Sequence, residues 1–267
     1  MNLLKKVAHK LSLHKVGFVM KIYYFFISKK YNLPKENNVI VDLKWGKLKS
    51  WSPAGSSMGR NIYLHKVFEP EVTDLISNIL KKGMVTVDVG ADMGYFSVLM
   101  AKSVSDSGRV FAFEPIPWGY DRLIENLKLN NLSNVTPYNY ALFDKNGIST
   151  MPDPQKVSML AGKKRVNKMK NSIEVNLKVF DEVVQELKIT KMDFVKIDCE
   201  GAEMNILLGM KSSIKTFFPE FIIEIHYDKI KNFGFLPKDV YEFMSPYGYK
   251  NEIISETALE KHIYFFH

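Results

Sequence analysis

The chain has 267 residues, a net charge of +8, and 46% hydrophobic against 25% charged residues, which fits a globular protein and excludes a disordered or fibrous one. That length holds one large domain or a domain with an appendage. A single cysteine, Cys199, excludes an intramolecular disulfide framework and a thiolate zinc site, in keeping with a reducing, cytoplasmic setting.

The first 30 residues carry seven lysines and no acid. Their apolar run, residues 16–27, is broken by Lys21 and is shorter than the roughly 20 residues a spanning helix needs. No small-residue cleavage site follows it. Residues 1–37 therefore read as a basic amphipathic segment, either packed as an extra helix or resting on the inner face of a membrane.

Residues 38–83 form a second region. "NNVIVDLKWGKLKSW" alternates apolar and polar residues about Lys44-Trp45-Gly46-Lys47, predicting a hairpin over 38–51. "VFEPEVTDLISNILKKG" predicts a helix closed by Gly83, with Val72, Leu75, Ile76, Ile79 and Leu80 on one face. Both are expected to pack on the core.

From residue 84 strands alternate with helices. In order these are "MVTVDV", "YFSVLMAKSV", "RVFAFE", "GYDRLIENLKLNN", "NVTPYNYAL", "VFDEVVQELK", "MDFVKID", "MNILLGMKSSIKTF" and "EFIIEIH". Continuous apolar strands between helices predict a buried, mostly parallel sheet in an α/β, Rossmann-like domain over 84–267. "YGYKNEII" and "KHIYFFH" end it as an antiparallel hairpin.

The turn "VDVGADMG" follows a strand and opens a helix, so it lies at the carboxyl edge, where open α/β sheets bind ligands. Gly90 and Gly94 let backbone approach a ligand. The spacing is not G-x-G-x-x-G, and Asp88 and Asp92 put negative charge where a pyrophosphate would sit. Carboxylates suit a ligand with a positive end, such as S-adenosylmethionine. Glu114 ends the next strand, about 20 residues on, where an acid accepts hydrogen bonds from ribose hydroxyls.

Together "VDVGADMGYFS", "VFAFEP", "NYAL", "FDEVV" and "VKIDCEGAE" resemble the FkbM-type methyltransferases, S-adenosylmethionine-dependent enzymes of the class I Rossmann-like fold. The resemblance spans roughly residues 60–226. It implies a seven-stranded sheet ending in the antiparallel pair. It also implies that Asp88, Gly90, Ala91, Asp92 and Gly94 hold the methionine end of the cofactor, Glu114 the ribose, and that Ala141 lies near the adenine. The family is associated with O-methylation of sugars, glycans and natural products.

Three acids crowd "KIDCEGAE". Asp198 and Glu200 end a strand at the glycine turn's edge, and Glu203 falls on the next helix's first turn. They suit taking a proton, binding sugar hydroxyls or holding a cation; no metal is assigned. Glu224 and His226 end "FIIEIH" and are read on alternate sides of it. His226 and Asp198 are the candidate bases, because a base is needed as a hydroxyl oxygen attacks.

A basic segment, "PDPQKVSMLAGKKRVNKMKN", interrupts the strand–helix order. Its Lys163, Lys164 and Arg165 suit an anionic acceptor such as a phosphorylated or nucleotide-linked sugar. A nucleic-acid acceptor is disfavoured, because the three acids would repel phosphates. A non-catalytic Rossmann-like binding module is a second rival, which the intact acids and glycines oppose, and a dehydrogenase is a third, disfavoured by the glycine spacing. The expected partner is a small-molecule or saccharide acceptor.

Overall fold

The computed structural model describes residues 29–152 and 172–267. The basic leader up to residue 28 and the lysine-rich segment 153–171 lie outside the described residues, and so do the readings made on them. No helix among the described residues is long and apolar enough to cross a membrane. The chain divides into two compact units, Met1–Pro70 and Glu71–His267.

In the first unit, β1 (Val39–Leu43) and β2 (Gly46–Ser50) form the expected hairpin, Leu43 paired with Gly46 across Lys44 and Trp45. Alternation puts Val41 opposite Leu48, and both are buried. Helix α1 (Ser57–His65) follows, Ser56 Oγ accepting from Gly59 N at 3.1 Å as its cap.

The second unit opens on α2 (Pro70–Ile79), which buries Val72 and Ile76 and leaves Leu75 and Ile79 half-buried. It stops short of Gly83, which lies in the turn before the sheet. The sheet then builds as β3 (Val85–Val89), α3 (Tyr95–Val104), β4 (Arg109–Phe113), α4 (Pro117–Leu129) and β5 (Val135–Tyr138). It resumes with β9 (Phe194–Ile197), α6 (Glu203–Leu208), α7 (Lys211–Phe217) and β10 (Glu220–His226). After α8 (Pro237–Met244) it closes with β11 (Lys250–Glu256) and β12 (Glu260–Phe266).

The seven strands lie in the order β11-β12-β10-β9-β3-β4-β5. All pairs from β10 to β5 are parallel, and β12 is antiparallel to both β10 and β11. Every residue of β9 is buried, as are all but the first of β10, which explains their unbroken apolar runs. The chain moves outward from β3 through β4 to β5, then returns to the other side of β3 as β9. That reversal puts the topological switch point at the carboxyl ends of β3 and β9, the place where such sheets bind ligands.

Three expectations need amending. "NVTPYNYAL" is two strands in two sheets, because after β5 the chain turns at Asn139 and enters β6 (Ala141–Phe143). Asn139 Nδ2 donates to the carbonyls of Glu114 and Pro115 at 2.9 and 3.1 Å and fixes that corner. Strand β6 pairs with β8 (Ser172–Val179), which also pairs with β7 (Gly147–Pro152). "MNILLGMKSSIKTF" is two helices. On α5 (Phe180–Glu186), Asp181 accepts from the N–H groups of Ser212 and Ser213, both at 2.8 Å, and so starts α7 anew. Residues 227–246, for which no element was expected, contain α8, where Asp239 Oδ2 accepts from Leu236 N at 2.7 Å.

Candidate active site

The glycine turn is locked on both sides. Gly90 N and Ala91 N both donate to the Phe113 carbonyl at the end of β4, at 2.9 and 3.0 Å. On the other side Asp198 N donates to Val89 O at 3.0 Å. Asp92 N donates to Glu114 Oε2 at 2.7 Å, and Gly94 N to Ala91 O at 2.8 Å. The turn amides of Gly90, Ala91, Asp92 and Gly94 are thus committed within the protein and are not left for an anion. What gathers here is acidic, which fits a ligand bearing an ammonium and a sulfonium.

Glu114 stands where a ribose acid was expected. Its Oε1 accepts from Ile116 N and its Oε2 from Asp92 N, both at 2.7 Å. A carboxylate oxygen keeps a second lone pair, so both can still accept from hydroxyls. Burial, then the nearby Asp92, push its pKa up to about 8 against the pull of its two backbone donors. Asp88 is buried. Its Oδ2 accepts from Ser97 Oγ at 2.5 Å, and it lies opposite Lys196 on β9. Burial raises its pKa against Lys196 and Ser97. Asp88 therefore supports the turn from within the sheet. Ala141 begins β6 beside Tyr138 and Tyr140, a ring pair 5.5 Å apart, with Tyr138 stacked on Phe113 at 5.2 Å. Nothing in the sequence had marked these tyrosines.

The acids of "KIDCEGAE" abut this turn directly. Asp198 Oδ2 lies 3.2 Å from Lys196 Nζ, a lysine 1% exposed in the middle of the sheet. Burial works to raise the Asp198 pKa, but Lys196, a hydrogen bond with Glu224 and His226 outweigh it and hold the carboxyl at about 2. Glu200 carries left-handed backbone, φ 54°, as does Asp92 at 45°. Such backbone in non-glycine residues is sparsely populated and concentrates at functional sites. The Glu200 side chain is mostly exposed and ion-paired with Lys229.

Glu224 and His226 prove to share one side of β10, not alternate sides, because residues two apart on a strand project the same way. His226 is buried, with Nε2 3.4 Å from Glu200 Oε2, 3.7 Å from Glu224 Oε1 and 3.8 Å from Glu260 Oε2. Its Nδ1 lies 3.2 Å from Glu203 Oε1, which also accepts from Gly201 N at 2.8 Å. Burial lowers the His226 pKa, yet the Glu203 bond and the carboxylates of Glu224 and Asp198 more than reverse it. Burial, opposed by a hydrogen bond to His262 and reinforced by Asp198, lifts Glu224 to about 7. Lys196, Glu203 in its pairing with His226, and Glu260 were not legible as members of this cluster. Only an apolar strand holding one lysine, "FVKI", gave a sign.

This combination of sheet order, glycine turn and an acid at the end of the next strand is that of a class I methyltransferase. The model of the methyltransferase FkbM domain matches residues 88–250. The chain belongs to the FkbM methyltransferase family, whose cofactor is S-adenosylmethionine. It is 31% identical to the hexuronic acid methyltransferase AglP of Haloferax volcanii over 186 residues, 69% of this chain and 71% of that protein. Among solved structures, the FkbM methyltransferase of Methylobacillus flagellatus aligns at a TM-score of 0.52 and 18% identity, a likeness of fold. The alignment covers 76% of this chain and 50% of that one. A match to the tRNA (guanine(37)-N(1))-methyltransferase Trm5b of Pyrococcus abyssi, 39% identical over 62 residues, covers 23% of this chain and 18% of that one.

Proposed function

We propose that the protein transfers a methyl group to a hydroxyl of a saccharide acceptor, a uronic-acid-containing glycan being the first choice. The observation that carries this reading is the contact of the glycine turn with the acid–histidine edge: Asp198 bonds the last residue of β3, and Glu200 and His226 stand beside it. The similarity to a hexuronic acid methyltransferase supports the saccharide class.

S-adenosylmethionine supplies an already activated methyl group, so the chain's part is alignment, a dry pocket and removal of one proton. Asp92, Gly94 and Glu114 would hold the methionine and ribose portions, with Asp88 fixing the turn, and Ala141 would border the adenine. Glu200 is the exposed member of the acidic edge and receives the hydroxyl proton. Lys229 sets its position, and the line Glu203–His226 backs it. The acceptor oxygen would gain the methyl carbon as its bond to hydrogen breaks, the methyl carbon–sulfur bond breaking in the same step and the cofactor leaving as its neutral thioether. Asp198, tied to Lys196, aligns the edge.

The test is to incubate the protein with methyl-labelled cofactor and, separately, uronic-acid glycans, neutral glycans and tRNA. Label in an alkali-stable methyl ether on a glycan is the expected result. Alkali-labile label marks a carboxyl acceptor and overturns the hydroxyl; label in tRNA alone overturns the saccharide class. Glu200→Gln is expected to lower turnover about 100-fold, the scale of a lost general base, with the cofactor dissociation constant little changed. Wild-type turnover in that variant removes Glu200 from the chemistry. Its exposure makes misfolding an unsuitable explanation of a loss.

A further inference from the structure

A carboxylate is a weak base for a sugar hydroxyl, so the proposed proton transfer needs something that acidifies the acceptor. The strand ends carry the means. Asp198 follows β9, and Glu224 and His226 end the parallel neighbour β10; one ligand atom from each lies within 4.8 Å of the others. Ligands sharing one cation through bonds of about 2.1–2.3 Å stand about 3–4.5 Å apart, so small side-chain rotations close the set.

The imidazole is held as a metal-ligating histidine is held. Glu203 takes its Nδ1 side, which leaves Nε2 to the cluster, and a carboxylate on the far nitrogen is the common partner of such ligands. Glu203 is itself wholly buried, and its second oxygen has no hydrogen-bond partner. Charge points the same way. Glu200, Glu203, Glu224 and Glu260 all come within 4 Å of the His226 ring nitrogens, and Asp198 joins them in the cluster. The ammonium groups paired here are Lys196 on Asp198 and Lys229 on Glu200, fewer than the acids. Lys196 approaches Asp198 through Oδ2, and Asp198 also bonds Glu224, so the two carboxylates already face each other.

We propose that Asp198, Glu224 and His226 bind one divalent cation, of the Mn2+ or Mg2+ kind, on the acceptor side of the active site. Two carboxylates with one imidazole suit a cation that accepts mainly oxygen and tolerates nitrogen. Rated as part of the methyl-transfer reading, on which this inference rests, the cation puts positive charge beside the acceptor hydroxyl and lowers its pKa into the reach of Glu200.

The experiment titrates the chelator-treated full-length protein with Mn2+, without cofactor or acceptor, and follows uptake by calorimetry and the electron-spin signal of free Mn2+. One Mn2+ per chain is expected, at least tenfold weaker in both Glu224→Gln and His226→Gln, each first shown by circular dichroism to melt as a folded protein. Glu260→Gln, near the imidazole but outside the ligand set, should bind within about threefold of wild type, where loss of a true ligand-orienting contact costs about 10–100-fold. Equal weakening in all three variants marks diffuse attraction and overturns the site. No uptake by the wild type, or full methyl transfer in chelator, also overturns it while leaving the methyl-transfer reading intact. Site-specific Mn2+ uptake with no methyl transfer to any glycan sustains the cation site and sinks that reading instead.

Discussion

Replacing Gly90 by alanine is expected to abolish cofactor binding and to lower the melting temperature sharply. Gly90 has φ 84°, where a Cβ costs about 1–2 kcal/mol by itself. Space adds much more. A Cβ there would overlap the Asp198 carbonyl oxygen, and would stand 3.0 Å from its carbonyl carbon and 3.2 Å from Cys199 Sγ. The obstacle is backbone, so no side-chain rotation relieves it. Nor can the turn retreat, since Gly90 N and Ala91 N are bonded to Phe113 O and Asp198 N to Val89 O. Relief requires parting the ends of β3 and β9, where the chain reverses direction across the sheet. The loss should exceed about 3 kcal/mol, or on the order of 8 °C in a domain of this size. Gly234→Ala is the control. Its φ is 82°, and nothing lies within 4 Å of its added Cβ, so only the backbone cost of about 1–2 kcal/mol applies. Calorimetric melts and titration with S-adenosylhomocysteine measure both effects. Equal behaviour of the two variants would sink the argument that Gly90 serves close approach.

The parts of this molecule that sequence revealed are those governed by short range. Continuous apolar runs such as "VTVDV" and "FIIEIH" reported strands buried on both faces, and their alternation with helices reported a parallel sheet. The spacing from Gly90 to Glu114 is set by one helix and one strand, so it too was readable. Local pattern failed where a distant residue decides. The break between α6 and α7 depends on Asp181, 31 residues from Ser212. The turn between β5 and β6 depends on Asn139 reaching Glu114, 25 residues back. The same holds in the site. Glu203 meets His226 across 23 residues, and Lys196 is buried only because Asp198 and, in register, Asp88 meet it there. A lone lysine in an apolar strand is a sign of something unusual, but it does not say which acids will neutralise it. Reading Glu224 and His226 on opposite sides was an error of strand period, and its correction is what assembles the cation site.

Glu114→Gln is expected to flatten the pH dependence of stability while weakening cofactor binding. The native carboxyl, at about 8, stands well above the ordinary carboxylate value of about 4.3. Between those two values the folded protein holds a proton that the unfolded chain has released. Stability therefore falls as pH rises: the contribution is complete below about 4.3 and is lost as pH climbs through about 8. Wild type should lose on the order of 3 kcal/mol more than the glutamine variant between pH 5 and 8.5, measured by denaturant unfolding at each pH. The variant is not simply more stable. Its amide nitrogen must face Asp92 N or Ile116 N, both of which now donate to Glu114, and one N–H left without an acceptor costs about 1–3 kcal/mol. The two stability curves should accordingly converge, the variant clearly lower at pH 5 and close to wild type or above it at pH 8.5. Binding shows the opposite linkage. A ribose that donates both hydroxyls favours the ionised acid, which accepts only, so wild-type affinity for S-adenosylhomocysteine should rise with pH towards about 8, and the variant should be weaker and nearly flat. Parallel stability curves for the two proteins would mean that Glu114 is already ionised at neutral pH. Its two backbone donors would then outweigh burial, and the acid would meet the ribose as a full charge.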